Sequence, residues 1–251
     1  MSKFPEVEKI RQDFIDGKRP NLSNLLQKRY EWILPHLDLE NDTILEVGTG
    51  IGVTPFFIPA KKLKLTDVCP FNWVHSTLDA NQLDELEENS YNAIIAINVL
   101  HHLAYPLKFL NACAKILPPG GRLFLVESHC GFLLKLLINI TQSEMYDYKV
   151  NPFDYNTPVK NPEDPTEGNN AVGNLFFRKT KRFEEKILKF KVIKRSYQEF
   201  LQFLISGGAS RSFPTIELPI PILKLINKFD EQLTQIFRPI ALSQYIILER
   251  I

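Results

Sequence analysis

Short apolar runs alternate with segments of helical periodicity along most of this chain. Within residues 6–37, Leu22, Leu25, Leu26, Tyr30, Ile33 and Leu34 recur at the spacing of one helix face. Asn21 or Ser23 is a candidate cap, and Pro35 marks the end. Leu63–Thr66 and a stretch around Trp73–Leu78 read as short strands, and Thr43–Val47, the first two-thirds of Tyr91–His102, and Arg122–Glu127 are apolar runs, too short for helices, that predict buried strands. Between the last two, Pro106 opens a helix with Leu107, Leu110, Ala114 and Leu117 on one face, and Pro118-Pro119-Gly120-Gly121 stops it. Such alternation predicts a parallel sheet covered on both faces.

The pattern loosens after residue 128. Gly131–Ile140 is apolar with one Lys135, and residues 146–173, rich in Pro, Asn, Asp and Tyr, read as a long loop. Helices are expected over Asn174–Lys189, Tyr197–Ile205 and Ile222–Phe237, with strands at Lys191–Ile193 and Ala241–Leu248. A chain of 251 residues suits one domain. Its expected parts are an N-terminal helical segment (1–40), a binding core (41–128), an insertion or lid shaping a second site (129–173) and a C-terminal completion of the sheet (174–251).

The first predicted strand carries Glu46 at its carboxyl end, and Gly48, Gly50 and Gly52 follow at alternate positions. Glycines there let the backbone turn sharply and let a ligand approach it closely. A dinucleotide turn needs G-x-G-x-x-G, and here the third glycine falls on Val53. Pro55 and Pro59 cut short any helix behind the turn. Asp67 lies nineteen positions after Gly48 and ends the second strand, near the offset at which an acid meets ribose hydroxyls.

This E-x-G-x-G-x-G pattern resembles motif I of the class I S-adenosylmethionine-dependent methyltransferases. Tyr91–Ile95 through Val99-Leu100-His101-His102-Leu103 looks like motif IV of their type 11 branch. Leu117–Leu123 resembles the turn before their fifth strand, with Pro118 in place of the commoner Lys, and Leu78-Asp79-Ala80 matches the Asp-Ala pair after strand 3. The order holds through residues 43–127, about a third of the chain. The resemblance implies a doubly wound, Rossmann-like α/β fold of seven strands, mostly parallel, with the last strand antiparallel and helices on both faces. It implies S-adenosyl-L-methionine as cofactor. Gly48, Thr49, Gly50 and Gly52 would approach it, Glu46 would receive its ammonium, Asp67 its ribose, Asp79 and the Ala80 amide its adenine, and Asn98 would sit beside its methionine end.

Composition adds exclusions. A formal net charge of +1 supplies no field to recruit nucleic acid. Cys69, Cys113 and Cys130 are odd in number and lack C-x-x-C spacing, so neither a disulfide framework nor a metal site is expected. No apolar run reaches the roughly 20 residues of a spanning helix, and the first residues lack a signal core, so a cytoplasmic protein is expected. Weak peripheral membrane contact through Gly131–Ile140 and an anion contact through Arg178, Lys179, Lys181 and Arg182 are secondary readings.

A methyl acceptor that is a poor nucleophile needs a base, and histidine titrates near neutral pH. His101, His102 and His129 follow strands at the expected ligand edge and are the candidates, with His101 and His129 leading; Glu144, Asp147 and Asp154 are weaker ones. The expected acceptor is a small molecule or a sugar- or lipid-linked intermediate, methylated on oxygen or nitrogen. Rival readings are a methyltransferase-like binding protein without turnover and a nicotinamide-dependent oxidoreductase.

Overall fold

The structure is a computed structural model that describes residues 4–142, 144–164, 167–209 and 214–251. Two helices come first, α1 (Pro5–Ile15) and α2 (Pro20–Ile33), so the predicted helical segment is broken near Gly17. Each starts on a proline, which needs no amide partner in a first turn. Asn21 is not the cap: its Nδ2 donates to the carbonyls of Ile205 and Ile216, and its Oδ1 accepts from the Leu218 amide.

The strands that follow are β1 (Thr43–Val47), β2 (Lys62–Asp67), β3 (Ser76–Thr77) and β4 (Ala93–Ile97). Helix α3 (Pro106–Ile116) leads into β5 (Arg122–Ser128). Then come α4 (Phe132–Thr141), a long loop, α5 (Val172–Phe177) and α6 (Thr180–Lys186). The chain closes with β6 (Phe190–Gln198), α7 (Leu201–Ile205), α8 (Ile220–Ile236) and β7 (Ser243–Arg250). The seven strands form one sheet in the order β3-β2-β1-β4-β5-β7-β6. All neighbours pair parallel except β7, which runs antiparallel between β5 and β6.

Alternate side chains feed two apolar layers, as the pleat requires. Leu45, Val47, Ile94, Ala96, Leu123 and Leu125 pack with α3, α5 and α6. Ile44, Ala93, Ile95, Phe124 and Ile247 pack with Ile10 of α1 and with Leu22, Leu26, Tyr30 and Ile33 of α2. The doubly wound reading therefore holds. No helix among the described residues is long and apolar enough to cross a membrane.

Several predicted boundaries move. The third strand shrinks to Ser76–Thr77 because His75 enters the ladder with its side chain: its Nδ1 accepts the Leu65 amide at 2.9 Å. The helix expected over Asn174–Lys189 is two helices, α5 and α6. Tyr197, expected in a helix, is strand, since pairing opposite Gln244 of β7 overrides local propensity.

Candidate functional site

The parallel strands end side by side, and open α/β sheets bind ligands at that edge. Here the edge is built on the glycine turn after β1. Gly48, Gly50 and Gly52 have φ of 67°, 54° and 61°, in the left-handed region where a Cβ is strained. A Cβ on Gly48 would lie 2.7 Å from Val99 Cγ2, and one on Gly52 would lie 2.1 Å from Trp73 Cδ1. Gly50 differs: apart from its chain neighbours, nothing among the described residues lies within 4 Å of where its Cβ would stand. The turn is thus packed at both ends and open in the middle.

No α-helix forms between β1 and β2; these described residues contain only a 3-10 turn, Thr54–Phe56. The expectation of a short helix there is corrected. In a helix the residue 55 amide would bond the Ile51 carbonyl, and Pro55 has no amide hydrogen. Groups from elsewhere take over. Arg11 Nη1 donates to the carbonyls of Ile51 and Gly52, the latter at 2.7 Å. Trp73 Nε1 donates to the Gly50 carbonyl at 2.8 Å. The Arg11 guanidinium stands 4.7 Å over the Trp73 ring, and Phe71 stacks on that ring at 4.7 Å.

Glu46 is buried at the end of β1. It accepts from Thr49 Oγ1 at 3.0 Å and from Thr54 Oγ1 at 2.7 Å, and Tyr30 OH lies 2.6 Å from Thr54 Oγ1. Burial pushes its carboxyl up to about 7 against the pull of those hydroxyls. Asp67 ends β2 as predicted, and its two oxygens accept the amides of Gly50 and Cys69, each at 2.9 Å. Burial raises its pKa too. Asp79 caps the 3-10 segment Ala80–Glu85 by accepting the Asn81 amide at 2.8 Å, and Ala80 is buried beneath it. Leu78 N–H donates to the Asp67 carbonyl, which holds the ends of β2 and β3 together.

Asn98 just past β4 has φ of 55°, in the left-handed region that asparagine tolerates better than most non-glycine residues. Three residues on, His101 is buried and its Nδ1 lies 2.6 Å from Glu127 Oε2. Glu127 Oε1 accepts the amides of Val99 and Leu100, so one carboxylate from β5 fixes both the turn and the ring. Burial lowers the His101 pKa, but the charge and hydrogen bond of Glu127 together with the Glu144 charge outweigh it, and the net shift is upward. The His102 ring lies 4.2 Å from that of His101, and its pKa falls through burial and then through the His101 charge. The long loop folds over this turn: the Asn169 amide donates to the His101 carbonyl, and the Val159 amide to that of Ala104. It carries Glu144 to the two histidines.

His129 keeps other company. Its ring meets Tyr197 of β6 edge-on at 4.6 Å, its Nδ1 has no hydrogen-bond partner among the described residues, and burial followed by the Arg195 charge takes its pKa down to about 4. Asp147 and Asp154 hold loop turns, accepting from the Lys149 and Asn156 amides. Arg178, Lys179, Lys181 and Arg182 are exposed. The structure therefore joins Glu46, the glycines and Asp67 in one hydrogen-bonded edge, with Val99 and His101 beside it. Sequence reasoning missed Arg11, Trp73, Thr54 and Glu127. For Glu127 a signal existed, an acid ending a buried strand; for Arg11 and Trp73 there was none, because both reach the turn from outside its own βαβ unit.

Comparison with known proteins agrees with this geometry. Residues 18–153, just over half of the chain, match the family described as a methyltransferase domain. The ubiquinone biosynthesis O-methyltransferase of Nitrosococcus oceani is 25% identical over 125 residues, covering 43% of this chain and 53% of that protein. Its namesake in Xanthomonas oryzae pv. oryzae is 27% identical over 126 residues, covering 44% and 53%. The chain spans about half the length of the curated relatives it matches. Among solved structures, a SAM dependent methyltransferase from Archaeoglobus fulgidus has the same fold, with a TM-score of 0.53 at 15% identity over 90% of this chain and 93% of that one.

Proposed function

The chain belongs to the class I S-adenosylmethionine-dependent methyltransferases, and from that premise we propose that it moves a methyl group from S-adenosylmethionine to a hydroxyl oxygen of a small-molecule acceptor. The observation that carries this reading is the open centre of the glycine turn. Gly50 leaves room for a ligand, while Asp67 accepts its amide, Glu46 accepts the hydroxyl of the adjoining Thr49, and Asn98 ends the neighbouring strand in the left-handed region. The cofactor brings its methyl on a sulfonium, so the protein's task is position and electrostatics.

In this reading Gly48, Thr49, Gly50 and Gly52 face the cofactor, Glu46 meets its ammonium and Asp67 its ribose hydroxyls. Asp79 and the Ala80 amide meet its adenine, and Asn98 its methionine end. Oxygen is favoured as the acceptor atom by the O-methyltransferase names of the relatives. Residues 129–173 shape the acceptor pocket, because their loop lies on the His101 turn beside Asn98. Of the two leading histidines, His101 is the one suited to act on the acceptor's hydroxyl. Glu127 fixes its ring and leaves Nε2 for a ligand, whereas His129 is a poor base held against Tyr197.

Titration calorimetry with S-adenosylhomocysteine tests the reading. One site per chain is expected, and Asp67→Ala should weaken it at least about tenfold, the scale of a lost charge-assisted hydrogen bond. Folded wild-type protein that takes up no ligand would refute it. Transfer of a labelled methyl from the cofactor into a small-molecule extract then reports the acceptor and its atom.

A further inference from the structure

We propose that His101, His102 and Glu144 form a binding site for a divalent first-row transition cation, with zinc as the natural occupant. Each offers one ligand atom, and the three atoms all lie within 4.8 Å of one another. Two imidazoles and a carboxylate are a donor set that such cations take while keeping a position open.

Three further observations distinguish this cluster from a chance meeting of side chains. Metal-bound histidines have the ring nitrogen away from the metal engaged by a carboxylate or a backbone carbonyl, which fixes tautomer and orientation. Both histidines here have that support. His101 Nδ1 lies 2.6 Å from Glu127 Oε2, and His102 Nδ1 lies 3.3 Å from the Glu167 carbonyl. The carboxylate is oriented as well, since Asn170 Nδ2 donates to Glu144 Oε2 at 2.5 Å. Finally, Gly168 sits where the three converge. A Cβ there would stand 2.9 Å from His101 Cδ2, 3.1 Å from His102 Cε1 and 3.2 Å from Glu144 Oε2. Its φ lies outside the left-handed region, so the glycine serves space at the cluster rather than backbone conformation. Burial falls from His101 to Glu144, which gives an ion a way in.

The sequence carried no sign of this site, because two ligands come from the turn after β4 and the third from a loop beyond β5. The inference goes beyond methyl transfer and does not need it. Where the methyltransferase reading holds, a bound cation would occupy the His101 ring nitrogen and replace it as the group acting on the acceptor: the cation would bind the acceptor hydroxyl and lower its pKa, and the hydroxyl proton would leave to water. The oxygen would then form its bond to the methyl carbon as the carbon–sulfur bond breaks, with that electron pair passing to sulfur.

Cobalt is the probe. Titrating Co2+ into chelator-stripped full-length protein, without cofactor or acceptor, should raise a visible d–d band that saturates at one ion per chain and is bleached by Zn2+. His102→Ala and Glu144→Gln should each weaken binding at least about 100-fold, and Glu127→Gln about 10- to 100-fold. Glu144→Gln lies on the loop and keeps its shape, so circular dichroism and S-adenosylhomocysteine binding should match wild type. No band, or a band that both Glu144→Gln and His102→Ala leave unchanged, would overturn the site. Cofactor calorimetry on the same stripped protein reports the methyltransferase reading separately.

Discussion

Arg11 of α1 donates to the carbonyl of Ile51, the acceptor that Pro55 leaves without a helical amide. A charged side chain from the N-terminal helix thus does what a helix does elsewhere in such folds. It also holds the Gly52 carbonyl and covers Trp73, which in turn holds Gly50. Replacing Arg11 by Ala removes charge-assisted hydrogen bonds whose loss costs about 1.5–3 kcal/mol. Affinity for S-adenosylhomocysteine should fall about 10- to 100-fold by calorimetry, with a smaller change in melting temperature. Unchanged affinity would show that the turn holds its shape without α1.

The glycines should separate by phenotype. Gly50→Ala places its methyl in open space at a φ of 54°, so it should cost about 1–2 kcal/mol of stability while blocking the ligand. Gly52→Ala drives a methyl into Trp73 as well, and should lose both stability and binding. Thermal melts beside calorimetry distinguish the two, and equal melting temperatures would contradict the packing described.

Glu46 makes stability depend on pH. Its carboxyl moves from the usual 4.5 to about 7 in the folded protein. Between those values the unfolded chain has lost the proton and the folded chain has kept it, so stability falls as pH rises, by about 3 kcal/mol in all. Above about pH 7 this contribution is constant. Glu46→Gln has no proton to lose, so its melting temperature should drop less than wild type's from pH 5 to 7.5. If Glu46 meets an ammonium, affinity for S-adenosylhomocysteine should rise with pH through 7 in wild type and stay flat in Glu46→Gln.

Arg29 and Glu199 form a buried ion pair across the molecule, with Nε and Nη2 bonding the two carboxylate oxygens at 2.6 and 2.8 Å. Ser243 and Tyr245 of β7 donate to the same carboxylate. Burial raises the Glu199 pKa, but the Arg29 charge together with the hydrogen bonds from Arg29, Ser243 and Tyr245 outweighs it, so the net shift is downward. Glu199→Gln leaves a buried guanidinium without its anion, at a cost of about 3–5 kcal/mol. The melting temperature should drop by about 10 °C. In wild type the pair's contribution is complete above the ordinary carboxylate range and is lost as pH falls through the lowered Glu199 value.

Legibility differed between local and distant features. The apolar runs of β1, β4 and β5 were readable because those strands are buried along almost their whole length on both faces. The ends of β3 and β6 were not, since a side chain of His75 and the pairing of Tyr197 with β7 set them. In the site, Glu46, the glycines and Asp67 were readable because one βαβ unit carries them in order. His101 was visible as a residue, but its partner Glu127 lies twenty-six positions away on the next strand.

The sequence alone determined the layered sheet, the glycine turn and the proline break behind it, because each follows from a pattern within about twenty residues. Only the tertiary structure decided what fills the gap those prolines leave, and that Glu144 meets His101 and His102. Both depend on segments far apart in the chain, brought together by burial of two apolar layers rather than by any local preference.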